Sequence, residues 1–259
     1  MKIALIGAGR LATNLGRALF EAGHDVVQVY SRTLKSASEL ALTIDAEPID
    51  KLESVTDEAQ IYIISVKDDV IADVATRLCI GREKAIFIHT AGSISIDIFN
   101  NKAQHYGVLY PMQTFSKDKR VNFSEIPCFV EADNEETLEV VKALSASVSQ
   151  RVYTLDSASR RHLHLAAVFA CNFVNHCYAI SEQLLLNNGI PFNVMYPLID
   201  ETASKVHLMS PKQAQTGPAL RYDKSVIESQ AKMLDTNPLF RQIYETMSAS
   251  INRLNNNDQ

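Results

Sequence analysis

A doubly wound, mostly parallel α/β sheet followed by an all-α half is the fold this sequence predicts, and three observations predict it. Up to about residue 155, short runs rich in isoleucine and valine alternate with stretches of helical spacing. Several of those runs are apolar at successive positions, as strands buried on both faces must be. Beyond residue 156 the strand signal ends and only helical patterning follows. Strands alternating with helices argue for a parallel sheet covered on both sides. The chain is therefore expected to divide into a sheet domain, 1–155, and a helical domain, 156–259.

The elements follow in order. KIALIGAG is an apolar run ending in glycines, and LATNLGRALFEAG places Leu11, Leu15, Ala18, Leu19 and Ala22 at helical spacing. DVVQVYS reads as a strand, SASELALTI as a helix and IYIISV again as a strand. DVIADVATRL suits a helix, while AIFIHTAG and YGVLYPM suit strands. IPCFVEA, the helical EETLEVVKALSAS and the short RVYTL complete the sheet domain. The stretch from Ser157 then runs without glycine or proline to Gly189, a natural helix stop. As one helix it spans roughly 30 residues, or about 45 Å. Its middle is apolar nearly all round, so other helices or a second subunit should cover it. NVMYPLIDETASKVHLM, KSVIESQAKML and NPLFRQIYETMSASINRL read as further helices. SPKQAQTGPALRYD reads as an irregular loop, and the terminal 255–259 should fray.

Composition narrows the classes of function. The 259 residues are 46% hydrophobic and 21% charged, with a formal charge of -5 spread along the chain. No basic footprint exists for nucleic acid. The four cysteines form no CxxC pair and read as buried thiols in a reducing compartment. The opening apolar run breaks at Gly7, short of the ~7–15 residues of a secretion signal. LHLAAVFACNFV falls short of the ~18 apolar residues of a membrane span. A cytoplasmic protein with no membrane partner is expected.

Gly7-Ala8-Gly9-Arg10-Leu11-Ala12 follows the first strand and opens a helix, the context in which GxGxxG/A marks a Rossmann dinucleotide site. Gly7 permits a tight turn, Gly9 lets backbone approach a pyrophosphate, and Ala12 allows close helix–strand packing. The competing reading is a purely structural glycine turn. An NAD site usually carries an acid about 20 residues on, at the end of the second strand. Here that place reads Ser31-Arg32-Thr33, and the nearby Asp25 stands at the strand's beginning. An arginine between two hydroxyls suits a 2′-phosphate, so NADP is expected over NAD.

Ser65-Val66-Lys67 and His89-Thr90 also end strands, where they can wrap the nicotinamide half of a cofactor. His89 is equally readable as a structural histidine. Tyr110 to Phe115, with Gln113 among them, line the cleft's floor or shape a turn. In the long helix His162 and His164 point to nearly opposite faces and cannot share a metal; Asn172 and His176 lack a third ligand. No metal is expected. His164 and Asn172, eight apart, stand roughly 80° apart on an α-helix and can look into one cleft. A histidine there can protonate the oxygen or nitrogen that receives charge when hydride arrives. The pair can equally be satisfied within a helix interface. Thr216 and Arg221 lie in the polar QAQTGPALRYD, where Arg221 either meets a substrate carboxylate or pairs with Asp223.

IGAGRLATNLG, HTAGS, YPMQTF, HLAAVFACNF and TGPALRYD together resemble a family of bacterial two-domain proteins, Rossmann-like NADP oxidoreductases with a C-terminal helical domain. More distantly the chain is similar to pyrroline-carboxylate reductases, ketopantoate reductases, deazaflavin-dependent NADP oxidoreductases and β-hydroxyacid dehydrogenases. The resemblance covers essentially the whole chain. It implies an NADP-binding domain and a helical substrate and dimerisation domain, hence a homodimer. The β-hydroxyacid dehydrogenases place a catalytic lysine one turn before an asparagine; here Val168 precedes Asn172, so His164 is the substitute on that face. The expected activity is hydride transfer between NADPH and a small carbonyl or imine compound. A non-catalytic NADP-binding sensor or interaction protein is the alternative, favoured by the missing lysine.

Overall fold

The computed structural model describes residues 1–117 and 119–256 of the chain. It forms two compact units, Met1–Asn172 and Phe173–Gln259. Residues 155/156 mark the end of the strands, whereas the compact units divide within the long helix.

In the first unit β1 (Lys2–Ile6), α1 (Arg10–Glu21), β2 (Asp25–Tyr30), α2 (Leu34–Ala41), β3 (Glu47–Ile49), β4 (Ile61–Ile64) and α3 (Ile71–Leu78) alternate. β5 (Ile86–His89), β6 (His105–Pro111), β7 (Cys128–Ala132), α4 (Glu135–Ala146) and β8 (Val152–Thr154) follow. The eight strands lie in the order β3-β2-β1-β4-β5-β6-β7-β8. β6 and β7 run antiparallel; every other neighbouring pair is parallel. The order reverses between β1 and β4, which opens a crevice beyond the carboxyl ends of those strands.

The period of two along β1 builds a core on each face. Ile3 and Leu5 pack with Leu15 and Leu19 of α1, Leu40 of α2 and Leu144 of α4. Ala4 and Ile6 face the other way, with Tyr62, Ile64, Phe87, Ile71 and Phe99. Each such aliphatic side chain contributes about 1.5–3 kcal/mol on burial, which is why the helices sit flat on the sheet. α1 ends at Gly23, whose φ of +82° only glycine adopts without strain. Asn134 caps α4, its side chain accepting from the Thr137 N–H at 2.8 Å.

β3 is absent from the sequence reading because Pro48 sits in its middle; an edge strand tolerates the missing donor. The long helix is present over the 30 residues Ser157–Leu186. It is not α-helical throughout: α5 (Ser157–Ala167) and α6 (Val174–Leu186) are joined by a π-helical turn, Val168–Phe173. By length and composition, with mean hydropathy 1.3, this run could cross a membrane. Its first turn nevertheless carries the fully buried Arg160, ion-paired inside the first unit. Gly189, at φ +68°, follows its end. None of residues 161–186 is buried.

The second unit continues with α7 (Tyr196–Leu208), α8 (Pro211–Ala214), α9 (Pro218–Arg221), α10 (Lys224–Lys232) and α11 (Pro238–Asn256). The stretch 210–223 is thus no simple loop. Ser210 and Gln213 form a reciprocal cap on α8, and Pro218 opens α9. Of the terminal residues expected to fray, 257–259 lie outside the described residues.

Candidate active site

The glycine turn lies where the crevice requires it. The Gly7 N–H donates to Tyr30 O at 2.8 Å, binding the end of β1 to the end of β2. Gly7 has φ +126°, and a Cβ there would fall 2.1 Å from Ser65 O. No other residue fits. A Cβ at Gly9 would meet nothing within 4 Å, so the backbone that opens α1 faces open space. No side chain caps that helix and no acid occupies its first turn. Its partial positive charge is left uncompensated, and Ala8 to Ala12 fit a dinucleotide pyrophosphate. Ala12 is fully buried against the sheet.

At the end of β2, Ser31 is fixed by its N–H to Ile49 O at 3.1 Å. Arg32 and Thr33 are exposed, and Thr33 Oγ1 donates to Ser36 Oγ at 2.9 Å. The exposed guanidinium of Arg32 at the end of β2 is available to a phosphate. Ser65 and Thr90 meet across the ends of β4 and β5, their hydroxyls 3.1 Å apart. Val66 is half-buried, Lys67 exposed.

His89 ends β5. Its side chain is fully buried, and its Nδ1 accepts the Ala91 N–H at 3.2 Å. Burial, reinforced by the nearby charge of Arg160, pushes its imidazole down to about 3, so it is neutral. The structural reading of this residue is the one the geometry favours.

His164 stands at the same edge of the sheet. It is half-buried, with Nδ1 3.0 Å from the hydroxyl of Tyr110, and the rings meet edge-on at 5.9 Å. Gly92 lies against both: a Cβ there would be 2.6 Å from His164 Nδ1 and 2.8 Å from Tyr110 Cζ. Tyr110 is 8% exposed, and burial raises its phenol above the ordinary value. Arg160 works against that rise and Asp68 adds to it. Asp68 in turn accepts from the Ser93 hydroxyl.

What places His164 is the preceding turn of α5. Asp156 caps the helix, its Oδ1 accepting the Ser159 N–H at 2.7 Å. Glu131 of β7 accepts from Arg160, from the Ser157 N–H at 2.9 Å and from the Ser157 hydroxyl at 2.7 Å. Arg160 also donates to Ile94 O, and the Ile96 N–H donates to Ser157 Oγ at 2.9 Å. One buried ion pair thus fastens both the helix and the loop after β5. Arg160 and His164 are one turn apart on one face, so anchoring the first aims the second. Tyr110 was read from sequence as part of the cleft's floor or of a turn, without a partner; the Glu131–Arg160 pair was not singled out, and the available signal was a carboxylate inside the otherwise apolar strand CFVEA.

Asn172 is exposed and lies in the π turn, where the 100° per residue of an α-helix no longer holds, so the shared-face argument with His164 does not carry over. Gln113 is exposed, its Oε1 accepting from the Thr114 N–H at 2.8 Å. His162 is bonded to Ala158 O. In the second unit Thr216 is exposed, and Arg221 is paired with Asp223 at 3.0 Å, the structural alternative. Cys79 and Cys128 are buried, their thiols pushed up by burial to about 12 and about 11, but Cys171 and Cys177 are only partly covered.

Residues 2–100 match a family described as NADP oxidoreductase, coenzyme F420-dependent, and residues 126–251 match a domain of unknown function, DUF2520. A Bacteroides fragilis protein described as a candidate NADP oxidoreductase is 50% identical; the match covers 97% of this chain and 98% of that one, with a TM-score of 0.93. An imine reductase from Myxococcus stipitatus in complex with NADP+ is 15% identical over 97% and 93% of the two chains, TM-score 0.67. A 1-pyrroline-5-carboxylate reductase from Streptococcus pyogenes is 15% identical over 97% and 98%, TM-score 0.63. Those two share the fold. No protein of curated function matches the chain.

Proposed function

We propose that this chain, a member of the family that joins an NADP oxidoreductase domain to a DUF2520 domain, is an NADPH-dependent reductase of a small carbonyl or imine compound. The observation that carries the reading is that the open backbone at Gly9 follows the carboxyl end of β1 while Tyr110, bonded to His164, lies at the carboxyl end of β6. NADPH, when bound, supplies the hydride. Ala8 to Ala12 hold the pyrophosphate, Ser31, Arg32 and Thr33 the 2′-phosphate, and Ser65, Val66, Lys67 and Thr90 border the nicotinamide end. Gln113 and Asn172 are the substrate-orienting amides. His164 delivers the proton to the oxygen or nitrogen that gains charge.

The test is NADPH oxidation against a panel of small carbonyl and imine compounds. His164→Ala should lower turnover of any accepted compound by about 10²–10⁴-fold with NADPH affinity nearly unchanged. Unaltered turnover would remove His164 from the chemistry. Failure of every compound with NADPH bound would favour the sensor reading.

The assembly proposed with it is a homodimer through the helical half. The support is the apolar surface of the helices: Leu186, Leu198 and Leu208 are 73%, 60% and 82% exposed. Side chains of that size in open water suit a contact with a second copy.

A further inference from the structure

We infer that Tyr110 is a positioning residue: its hydroxyl donates to Nδ1 of His164 and holds the imidazole with its hydrogen on Nε2. The hydrogen-bond inventory argues for it. A neutral imidazole has one donor nitrogen and one acceptor, and the partner of one settles the other. Tyr110 is almost wholly buried, and His164 Nδ1, at 3.0 Å, is the partner of its hydroxyl among the described residues. Were His164 to donate from Nδ1, the phenol hydrogen would have no protein acceptor among the described residues, a loss a buried group seldom tolerates. If Tyr110 donates, both groups are satisfied and Nε2–H is the nitrogen left for the substrate. His164 Nε2 has no protein partner among the described residues.

The neighbours act in the same sense. Burial keeps the Tyr110 phenol protonated, with Asp68 assisting and Arg160 opposing, so it stays a donor at neutral pH. The backbone at Gly92 leaves room for the two rings to meet, since any Cβ there would stand 2.6 Å from Nδ1. An imidazole free to exchange tautomers would present a bare nitrogen part of the time, and a bare nitrogen cannot donate a hydrogen bond to the oxygen or nitrogen that gains charge. Tyr110 removes that fraction. The inference rests on the reductase reading only for the proton's destination; the tautomer is a property of the free protein.

Nitrogen NMR of the imidazoles tests it, on the free full-length chain, at a pH well above the ordinary histidine value of ~6.5. His164→Asn identifies the signal. The expected result is a hydrogen on Nε2 and a bare Nδ1 in the parent, with the Nδ1–H population rising about tenfold in Tyr110→Phe, the scale of one neutral hydrogen bond. Gly92→Ala, which drives a methyl into the same bond, should raise it too. A hydrogen on Nδ1 in the parent overturns the inference, as does an unchanged tautomer population in both variants. NADPH titration of the same samples separates the two claims: if NADPH does not bind, the reductase reading falls while the tautomer result stands.

Discussion

The two halves of this chain solve the burial problem in opposite ways. In residues 1–172 every strand of the sheet's centre is enclosed, and the interior holds even an arginine, Arg160, with its carboxylate partner. In residues 173–259, Ala219, Ala231 and Leu234 are the buried apolar side chains among the described residues, while leucines of α6 and α7 stand open to solvent. The first half is a self-sufficient scaffold. The second presents apolar surface that the chain by itself does not cover. A helix pattern read from sequence tells which face is apolar but not whose surface will cover it.

The contrast can be broken most directly at Glu131. Glu131→Ala leaves Arg160 charged, buried and unpaired, which should cost about 3–5 kcal/mol of unfolding free energy. Chemical denaturation measures it; a loss under ~1 kcal/mol would mean the pair anchors little. Because the same carboxylate fastens Ser157 and the loop at Ile94–Ile96, the His164–Tyr110 contact should loosen with it.

Acid sharpens the contrast next. His89 is neutral in the folded state, held near 3, whereas the unfolded chain protonates it near 6.5. Between those values the unfolded state binds more protons, so the histidine's contribution is complete above ~6.5 and is lost as pH falls, by up to about 1.4 kcal/mol per unit. Denaturation midpoints followed downward from neutral pH should show that slope in the parent and a shallower one in His89→Phe. Parallel slopes would show that His89 does not govern the acid response.

The smallest effect on folding is expected in the helical half. Leu208→Ser, at an 82% exposed position, should change unfolding free energy by less than ~0.5 kcal/mol if the chain stands alone. Combined with Leu198→Ser it should instead turn dimer into monomer in sedimentation. A dimer indifferent to both would place the contact elsewhere.

How much of this was legible follows the same division. Gly7, the alternation along β1 and the strand ends at Ser65 and Thr90 are local, and the sequence displays them. The 30-residue helix was legible in length, because nothing between Ser157 and Gly189 breaks it. Its π turn was not: a shift of hydrogen-bond partner at Val168–Phe173 leaves no residue signature, and it undid the angular argument for Asn172. Tyr110 was visible as part of a cleft floor or a turn, but its pairing with His164 was not, since that partner lies far along the chain. α8 had a readable signal in Ser210 and Gln213, the two ends of a capping box. His89 was undecided from sequence because burial, which favours its structural reading, is a tertiary property.

The central claim is an NADPH site built from the glycine turn and the end of β2, and nucleotide titration tests it most directly. Nicotinamide fluorescence should report tight NADPH binding to the parent. In Arg32→Ala, NADPH should weaken by about 10–100-fold, the scale of a lost charge-assisted bond, with NADH nearly unaffected. Binding of neither nucleotide, or equal weakening of both, would contradict the account.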